Sequence, residues 1–256
     1  MIVYFKNFLK QPSAVLAMVT LLGCLFIMGL PAKDVMAESK ISFAKSKKIL
    51  SGIYKKADQQ RTFYCGCDYT SNKEIDYLAC GYTVRKNQKR AQRIEWEHVV
   101  PASRLGSGLA CWQSGHPECV KTNGDSYAGR RCCRKVDANF KKMEADMHNL
   151  VPAIGEVNGD RSNFRMAELA GESDQYGQCD FEVDFKQRLV EPKPKIRGEI
   201  ARIYLYMHQK YGIGLTTQEE GMYSKWALDD PVSDWEIDKN GKVAAIQGDV
   251  NSFIPN

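Results

Sequence analysis

Apolar side chains recur along the chain in two rhythms. Phe43, Ile49, Leu50, Ile53 and Tyr54 fall on one face of a helical net and predict an amphipathic helix over residues 43–57. Val136, Phe140, Met143, Met147 and Leu150 step by four, three, four and three, which predicts a second helix facing a core. Ile200, Ile203, Tyr204, Met207 and Tyr211 predict a third, stopped at Gly212. Thr217 with Glu220 then reads as a capping box opening a short helix toward Trp226. The segment from Arg93 to Pro101 is apolar and extended, and Asn240-Gly241 between two short apolar runs predicts a small hairpin. Residues 65–82 are rich in turn formers and cysteine. With no internal repeat or low-complexity linker, these elements predict one mixed α+β domain.

The chain has 256 residues, 43% hydrophobic and 26% charged, which excludes a disordered, collagen-like or multi-span membrane protein. Its beginning narrows the compartment. Lys6 and Lys10 precede an apolar run from Val15 to Leu30, and Val35-Met36-Ala37 supplies small-residue cleavage signals before Glu38. The run is shorter than the roughly 20 residues of a spanning helix. Residues 1–37 therefore read as a signal peptide and residues 38–256 as the mature domain, periplasmic or secreted and not membrane-attached. Leu21-Leu22-Gly23-Cys24 resembles a lipoprotein box, but residues 25–30 stay apolar where a lipidated end would turn polar.

Cysteine usage agrees with export. Apart from Cys24, the nine cysteines leave Cys65, Cys67, Cys80, Cys111, Cys119, Cys132, Cys133 and Cys179, an even set that predicts four disulfides in an oxidising compartment. Zinc is the competing reading, but Cys65-Gly66-Cys67 and Cys132-Cys133 lack the gap that lets two thiolates reach one tetrahedral ion. Adjacent Cys132 and Cys133 are expected to bridge to different segments.

The net charge of +5 is mild, but its distribution is uneven. Residues 121–142 carry Lys121, Arg130, Arg131, Arg134, Lys135, Lys141 and Lys142 against two aspartates, and residues 85–104 carry six basic groups, Arg93 among them, against Glu95 and Glu97. The last forty residues hold eight acids against three lysines, so one half of the chain is expected to meet a polyanion and the other to repel it. Of four histidines, His116 lies in a loop between cysteines and His208 on a helix, both read as structural. His148 follows Glu144 by four residues, a spacing that suits a hydrogen bond better than a metal pair. His98 is different. It shares an apolar segment with Glu95 and Glu97, and packing gives no reason to bury those charges together, since each costs several kcal/mol unless paired.

The strings Glu95–Ala102 (EWEHVVPA), Cys111–Gln113 (CWQ), Met143–Leu150 (MEADMHNL), Gly155–Phe164 (GEVNGDRSNF) and Ile246–Gly248 (IQG) resemble the endonuclease I family, over roughly residues 43–254. These are exported, disulfide-stapled bacterial nucleases that cut double- and single-stranded DNA, and RNA, with little sequence preference. The resemblance implies a ββα-metal finger within the α+β domain, its first strand at Glu95–Val100, its second near Leu150–Pro152 and its helix including Asn158. It implies one Mg²⁺ per chain held by Glu97 and Asn158, replaceable structurally by Mn²⁺ or Ca²⁺, with His98 as general base, 5′-phosphate products and a monomeric enzyme. Two local tensions accompany it. Adjacent strand residues point to opposite faces, so Glu97 and His98 share a site only if the strand kinks or ends there, as Pro101 suggests. Residues 155–159 are poor helix material and read by themselves as a turn.

The sequence departs from the family at one place. Where the family has a Gly-Gly-Arg stretch carrying a phosphate-holding arginine, this chain reads Ser114-Gly115-His116-Pro117-Glu118-Cys119. The insertion of residues 120–134 contains Arg130 and Arg131, either of which is a candidate for that role, with His116 a weaker one. The family's C-terminal cysteines are also missing. Arg93, Lys141, Lys142 and Arg161 are the remaining candidates for nucleic-acid contacts. Two rival functions are an inactive exported nucleic-acid-binding module and a zinc or thiol enzyme using His98.

Overall fold

The hydroxyl of Ser42 accepts a hydrogen bond from Lys45 N (3.3 Å) and starts α1 (Phe43–Lys56), which buries Leu50, Ile53 and Tyr54 on the face its spacing predicted. The computed structural model describes residues 41–171 and 174–255, all within the unit Ser39–Asn256; the signal peptide and the lipoprotein alternative at Cys24 lie outside the described residues. A looped region follows α1 and ends in the single turn α2 (Gln88–Ala91). The strand β1 (Ile94–His98) then leads into two short helices, α3 (Ala102–Gly106) and α4 (Ala110–Gln113). Beyond the cysteine-containing loop come α5 (Arg130–Val136) and α6 (Ala138–Ala145), then β2 (Leu150–Ile154) and α7 (Gly155–Arg161).

The unit β1–β2–α7 forms the centre. β1 and β2 pair antiparallel, with Ile94 opposite Ile154 and His98 opposite Leu150, and α7 follows β2 without an intervening residue. One of its glycines, which argued against a helix, is required by packing: a Cβ at Gly155 would lie 2.7 Å from the backbone Arg90 O, whereas one at Gly159 would meet the movable end of the Arg90 side chain. The helix is also held from outside. Glu156 accepts the backbone N–H groups of Arg85 (3.1 Å), Lys86 (2.6 Å) and Asn87 (2.5 Å) and the hydroxyl of Tyr82 (2.8 Å). Asp160, one turn on, accepts two bonds from the Arg85 guanidinium and one from Tyr176.

A second sheet contains β3 (Arg165–Met166), β4 (Phe181–Asp184) and β5 (Leu189–Pro192) in the order β3-β5-β4, with β4 and β5 joined as a hairpin. Three helices close the chain, α8 (Arg197–Tyr211), α9 (Thr217–Asp229) and α10 (Asp234–Gln247). α8 and α10 meet at Asp146, four residues before β2, which is buried and accepts from Tyr206, Lys210 and Tyr211 of α8 and from Gln247 of α10.

Three expectations change. The stripe from Val136 to Leu150 is not one helix: Asp137 caps α6 by accepting from Phe140 N (2.7 Å), Asp146 caps a 3₁₀ turn at Met147–Asn149, and Leu150 begins β2. His148 is thereby turned away from Glu144, and its Nε2 lies 2.8 Å from Asp249 O. Asn240-Gly241 is not a hairpin turn but the middle of α10. Ser233 and Glu236 form a capping box there, and Asn240 is buried, exchanging hydrogen bonds with the backbone of Asn251 and donating to Ile254 O. The capping box of α9 uses Thr216 and Glu219, one residue earlier than predicted, and the helix runs on to Asp229.

All eight cysteines among the described residues are paired, as Cys65–Cys179, Cys67–Cys80, Cys111–Cys133 and Cys119–Cys132, so Cys132 and Cys133 do bridge to different segments. The last two bridges tie α5 to the loop before it and to α4. Alkylation without reductant should therefore add no mass at these eight positions. Replacing Cys119 and Cys132 together by Ser should lower the urea unfolding free energy by about 2–5 kcal/mol; an unchanged midpoint would contradict the pairing.

Candidate active site

The site lies where β1 ends. After His98 the chain bends at Val99-Val100 and enters Pro101, so the regular alternation of side chains stops and Glu97 and His98 both line one cavity of about 770 Å³. Glu95, Asn158, Arg130, Arg134, Lys47 and Lys73 line the same cavity.

His98 is buried and held by the backbone. Its Nε2 lies 2.8 Å from Glu144 O, and since a carbonyl only accepts, Nε2 carries the proton and Nδ1 keeps the lone pair. Arg130 Nη2, a donor only, approaches Nδ1 at 3.4 Å, and the Phe43 ring packs on the imidazole at 4.9 Å between centroids. Burial, reinforced by the Arg130 charge, lowers the imidazole to about 4. The ring thus stays unprotonated well below the pH of 6.5 at which an ordinary histidine titrates.

Glu97 is buried too, and burial raises its carboxyl to about 7, with the Arg161 and Arg130 charges opposing. Its Oε1 has no hydrogen-bond partner among the described residues, and Arg161 Nη1 lies 3.4 Å away. Glu97 also lines the cavity, so a carboxylate with one oxygen free of hydrogen bonds has capacity left for an incoming cation. Asn158 completes the donor set. Its amide nitrogen donates to Glu95 Oε2 (3.1 Å), so the planar amide turns its oxygen away from Glu95. No cluster of three or more His, Cys, Asp or Glu suited to a metal exists among the described residues. One carboxylate and one amide oxygen match a hard cation that keeps most of its water.

Glu144 organises the basic side. Its carboxylate accepts from Arg130 Nε (2.5 Å) and from Arg134 Nε (2.6 Å) and Nη2 (2.5 Å). Burial works to raise this carboxyl, but the Arg134 and Arg130 hydrogen bonds outweigh it and hold it below the usual range. Lys47 is lowered by burial and by the Lys73, Arg134 and Arg130 charges around it, so the cavity wall carries crowded positive charge that an anion would relieve.

A family model described as Endonuclease I matches residues 32–256. The chain belongs to the Endonuclease I family. An extracellular deoxyribonuclease of Aeromonas hydrophila is 46% identical over 83% of this chain and 88% of its own length. A periplasmic deoxyribonuclease of the same organism is 43% identical over 96% and 98% respectively. Endonuclease-1 of Buchnera aphidicola subsp. Acyrthosiphon pisum is 43% identical over 83% and 80%.

For this member of the Endonuclease I family, the structure gathers Glu97, His98, Asn158 and Arg130 in one cavity. It places Arg131 elsewhere, its guanidinium 4.9 Å over the Tyr127 ring. His116 lies in the exposed loop, accepting from Glu118 N. Arg93 pairs with Glu95 at 3.0 Å, beside the cavity, whereas Lys141 and Lys142 are exposed on α6 and do not line it. Arg161 is a correction. It is 0% exposed and donates to Val99 O (2.5 Å) and Tyr204 (3.2 Å), so it braces the bend after β1 and cannot meet a polyanion. Sequence reasoning missed Phe43, Lys47, Lys73 and Arg134 as site residues. Phe43 and Lys47 stand one turn apart on α1, a spacing that was readable. Lys73 reaches the cavity through a left-handed backbone (φ 70°), which no local signal announces.

Removing the buried guanidinium with Arg161→Ala should cost about 3–5 kcal/mol in urea unfolding, because Glu97 would be left buried without its cation. Lys141→Ala with Lys142→Ala should change stability by less than about 1 kcal/mol. Similar losses in the two variants would refute the buried assignment.

Proposed function

We propose that the protein is a periplasmic or secreted endonuclease that hydrolyses phosphodiester bonds of DNA and RNA with little sequence preference, using His98 as general base and leaving 5′-phosphate ends. The carrying observation is that Glu97 and His98, at the end of β1, line one cavity together with Asn158 and the cations Arg130, Arg134, Lys47 and Lys73. Relatives named extracellular and periplasmic deoxyribonucleases support both the activity and the compartment. No helix among the described residues is long and apolar enough to cross a membrane.

Glu97 and the Asn158 amide oxygen would hold one Mg²⁺, with Mn²⁺ or Ca²⁺ able to take its place structurally. When bound, the ion would neutralise charge on the phosphate and on the leaving 3′-oxygen. The chain's own groups do the rest. Neutral His98 takes a proton from the attacking water at Nδ1, while Nε2–H stays bonded to Glu144 O and fixes the ring. Arg130 and Arg134, held by Glu144, meet the phosphate oxygens. Arg130 thereby supplies the arginine that the residue 114–119 loop lacks, reaching the site from the inserted segment instead. Glu95 orients the Asn158 amide, and Lys47 and Lys73 hold the strand by phosphate contacts, which carry no base specificity.

Plasmid should be nicked by the purified, oxidised protein and protected by EDTA. His98→Ala should lose roughly 10²–10⁴-fold in rate at any Mg²⁺ concentration. Asn158→Ala should recover part of its activity as Mg²⁺ is raised. The base assignment fails if metal repairs His98→Ala and leaves Asn158→Ala unrepaired. Lowering pH should weaken Mg²⁺ before it disables the base. The Glu97 carboxyl, at about 7, takes up a proton that competes with the ion, whereas His98 at about 4 stays neutral. Below pH 7 added Mg²⁺ should therefore restore activity, and an acid limb near pH 6.5 insensitive to Mg²⁺ would point back to His98.

Arg130→Ala should lower kcat by roughly 10²–10³-fold, the cost of losing one transition-state donor, while Arg131→Ala stays within about threefold of wild type. Equal effects in a plasmid-cleavage assay would return Arg130 to a surface role.

A further inference from the structure

Outside the cavity, the exposed ring with the most organised surroundings is Phe185, at the tip of the β4–β5 hairpin. A single exposed aromatic is ordinary on a protein surface; its setting is not. Phe185 is 40% exposed, and the Arg85 guanidinium lies over its ring at 4.3 Å and the Lys86 ammonium at 5.7 Å. The Phe164 ring packs against it edge-on at 6.2 Å, and Arg188 lies over Phe164 at 4.9 Å. Lys186, the next residue, is exposed.

The ring is held in place and tied to the catalytic helix. Asp184 accepts from Gln187 N (2.8 Å) and Nε2 (2.6 Å), closing the tip, and Arg188 takes a left-handed backbone (φ 60°) as the strand resumes. Arg85, against the ring, is bound by two hydrogen bonds to Asp160, two residues beyond Asn158 on α7. From the other side, Arg188 Nη2 donates to Asn163 Oδ1 (2.5 Å), and Asn163 lines the catalytic cavity. Lys86 pairs with Asp160 as well (3.0 Å). Arg85 and Lys86 thus lie against the Phe185 ring, Lys186 follows it in the chain, and Arg188 links the neighbouring Phe164 ring to Asn163 of the cavity wall.

We propose that Phe185 is a stacking platform for one unpaired nucleobase of a single strand lying in the catalytic cavity, with the four cations holding the flanking phosphates. The proposal rests on the nuclease reading of the cavity. Every base has a flat π-face, so a ring of this kind adds affinity without sequence preference. A base within a duplex is already stacked and paired, and so is not free to use it. The platform makes the protein bind single strands, or frayed and looped regions, more tightly than its cavity alone would.

The test is binding in EDTA, where no strand is cut, of a labelled oligothymidylate and of a duplex of equal length. Phe185→Ala should raise Kd for the oligothymidylate roughly 5- to 100-fold and leave the duplex within about twofold, with the salt slope unchanged. Lys186→Ala should instead reduce the salt slope by about one for both probes. Phe185→Trp should keep single-strand affinity, and its added indole emission should be quenched by the oligothymidylate. Unchanged single-strand affinity in Phe185→Ala, an equal loss on duplex, or full affinity in Phe185→Leu would each overturn the platform. If the unaltered protein bound neither probe, the nuclease reading would fall with it; if it bound both and Phe185→Ala matched it, only the platform would fall.

Discussion

One buried carboxylate, Glu144, fixes most of the chemistry. Its main-chain oxygen chooses which imidazole nitrogen of His98 keeps a lone pair, and its side chain grips two guanidiniums at hydrogen-bonding distance. Left alone, a carboxylate this deeply buried would cost several kcal/mol, so the arginines are as necessary to Glu144 as it is to them. The arrangement requires α5, α6 and the end of β1 to converge. One of the three is also anchored covalently, since α5, which begins at Arg130, is bridged through Cys133 to α4 and through Cys132 to the loop before it.

How far the sequence revealed this depends on the range of the forces involved. Four disulfides, the strand carrying Glu97 and His98, and the buried faces of α1 and α8 were legible, because cysteine parity and apolar period are local signals. The charged pair within an apolar strand was legible for the opposite reason, as an expense that packing alone does not explain. Asn240-Gly241 misled because the turn preference of that pair was overruled by a capping box seven residues earlier and by contacts to Asn251, eleven residues later. Arg161 misled because its charge suggested a surface. Only the fold shows that the backbone carbonyls after β1 need a buried donor. Gly155 of α7 shows the same limit, since the reason for it is the backbone of Arg90, far earlier in the chain.

Charge shows a related gap between chain and fold. The acidic last forty residues suggested a face that repels a polyanion. In the structure several of those acids are consumed internally: Glu219 by Arg104, Glu236 by the buried Arg202, Asp249 by Lys210. What remains is a cavity whose wall is cationic on the side of α1 and α5 and acidic only at the end of β1. Two parts of the chain far apart in sequence contribute to one electrostatic surface.

The longest bridge, Cys65–Cys179, joins residues 114 positions apart, and β1, β2 and α7 all lie between its ends. The whole catalytic unit therefore sits inside one covalent ring. A protease that cuts an exposed loop anywhere within that ring opens it without separating the two pieces, which remain linked through sulfur and packed against the same core. For a protein working among extracellular or envelope proteases, the first nick is then a change of connectivity and not a loss of the molecule.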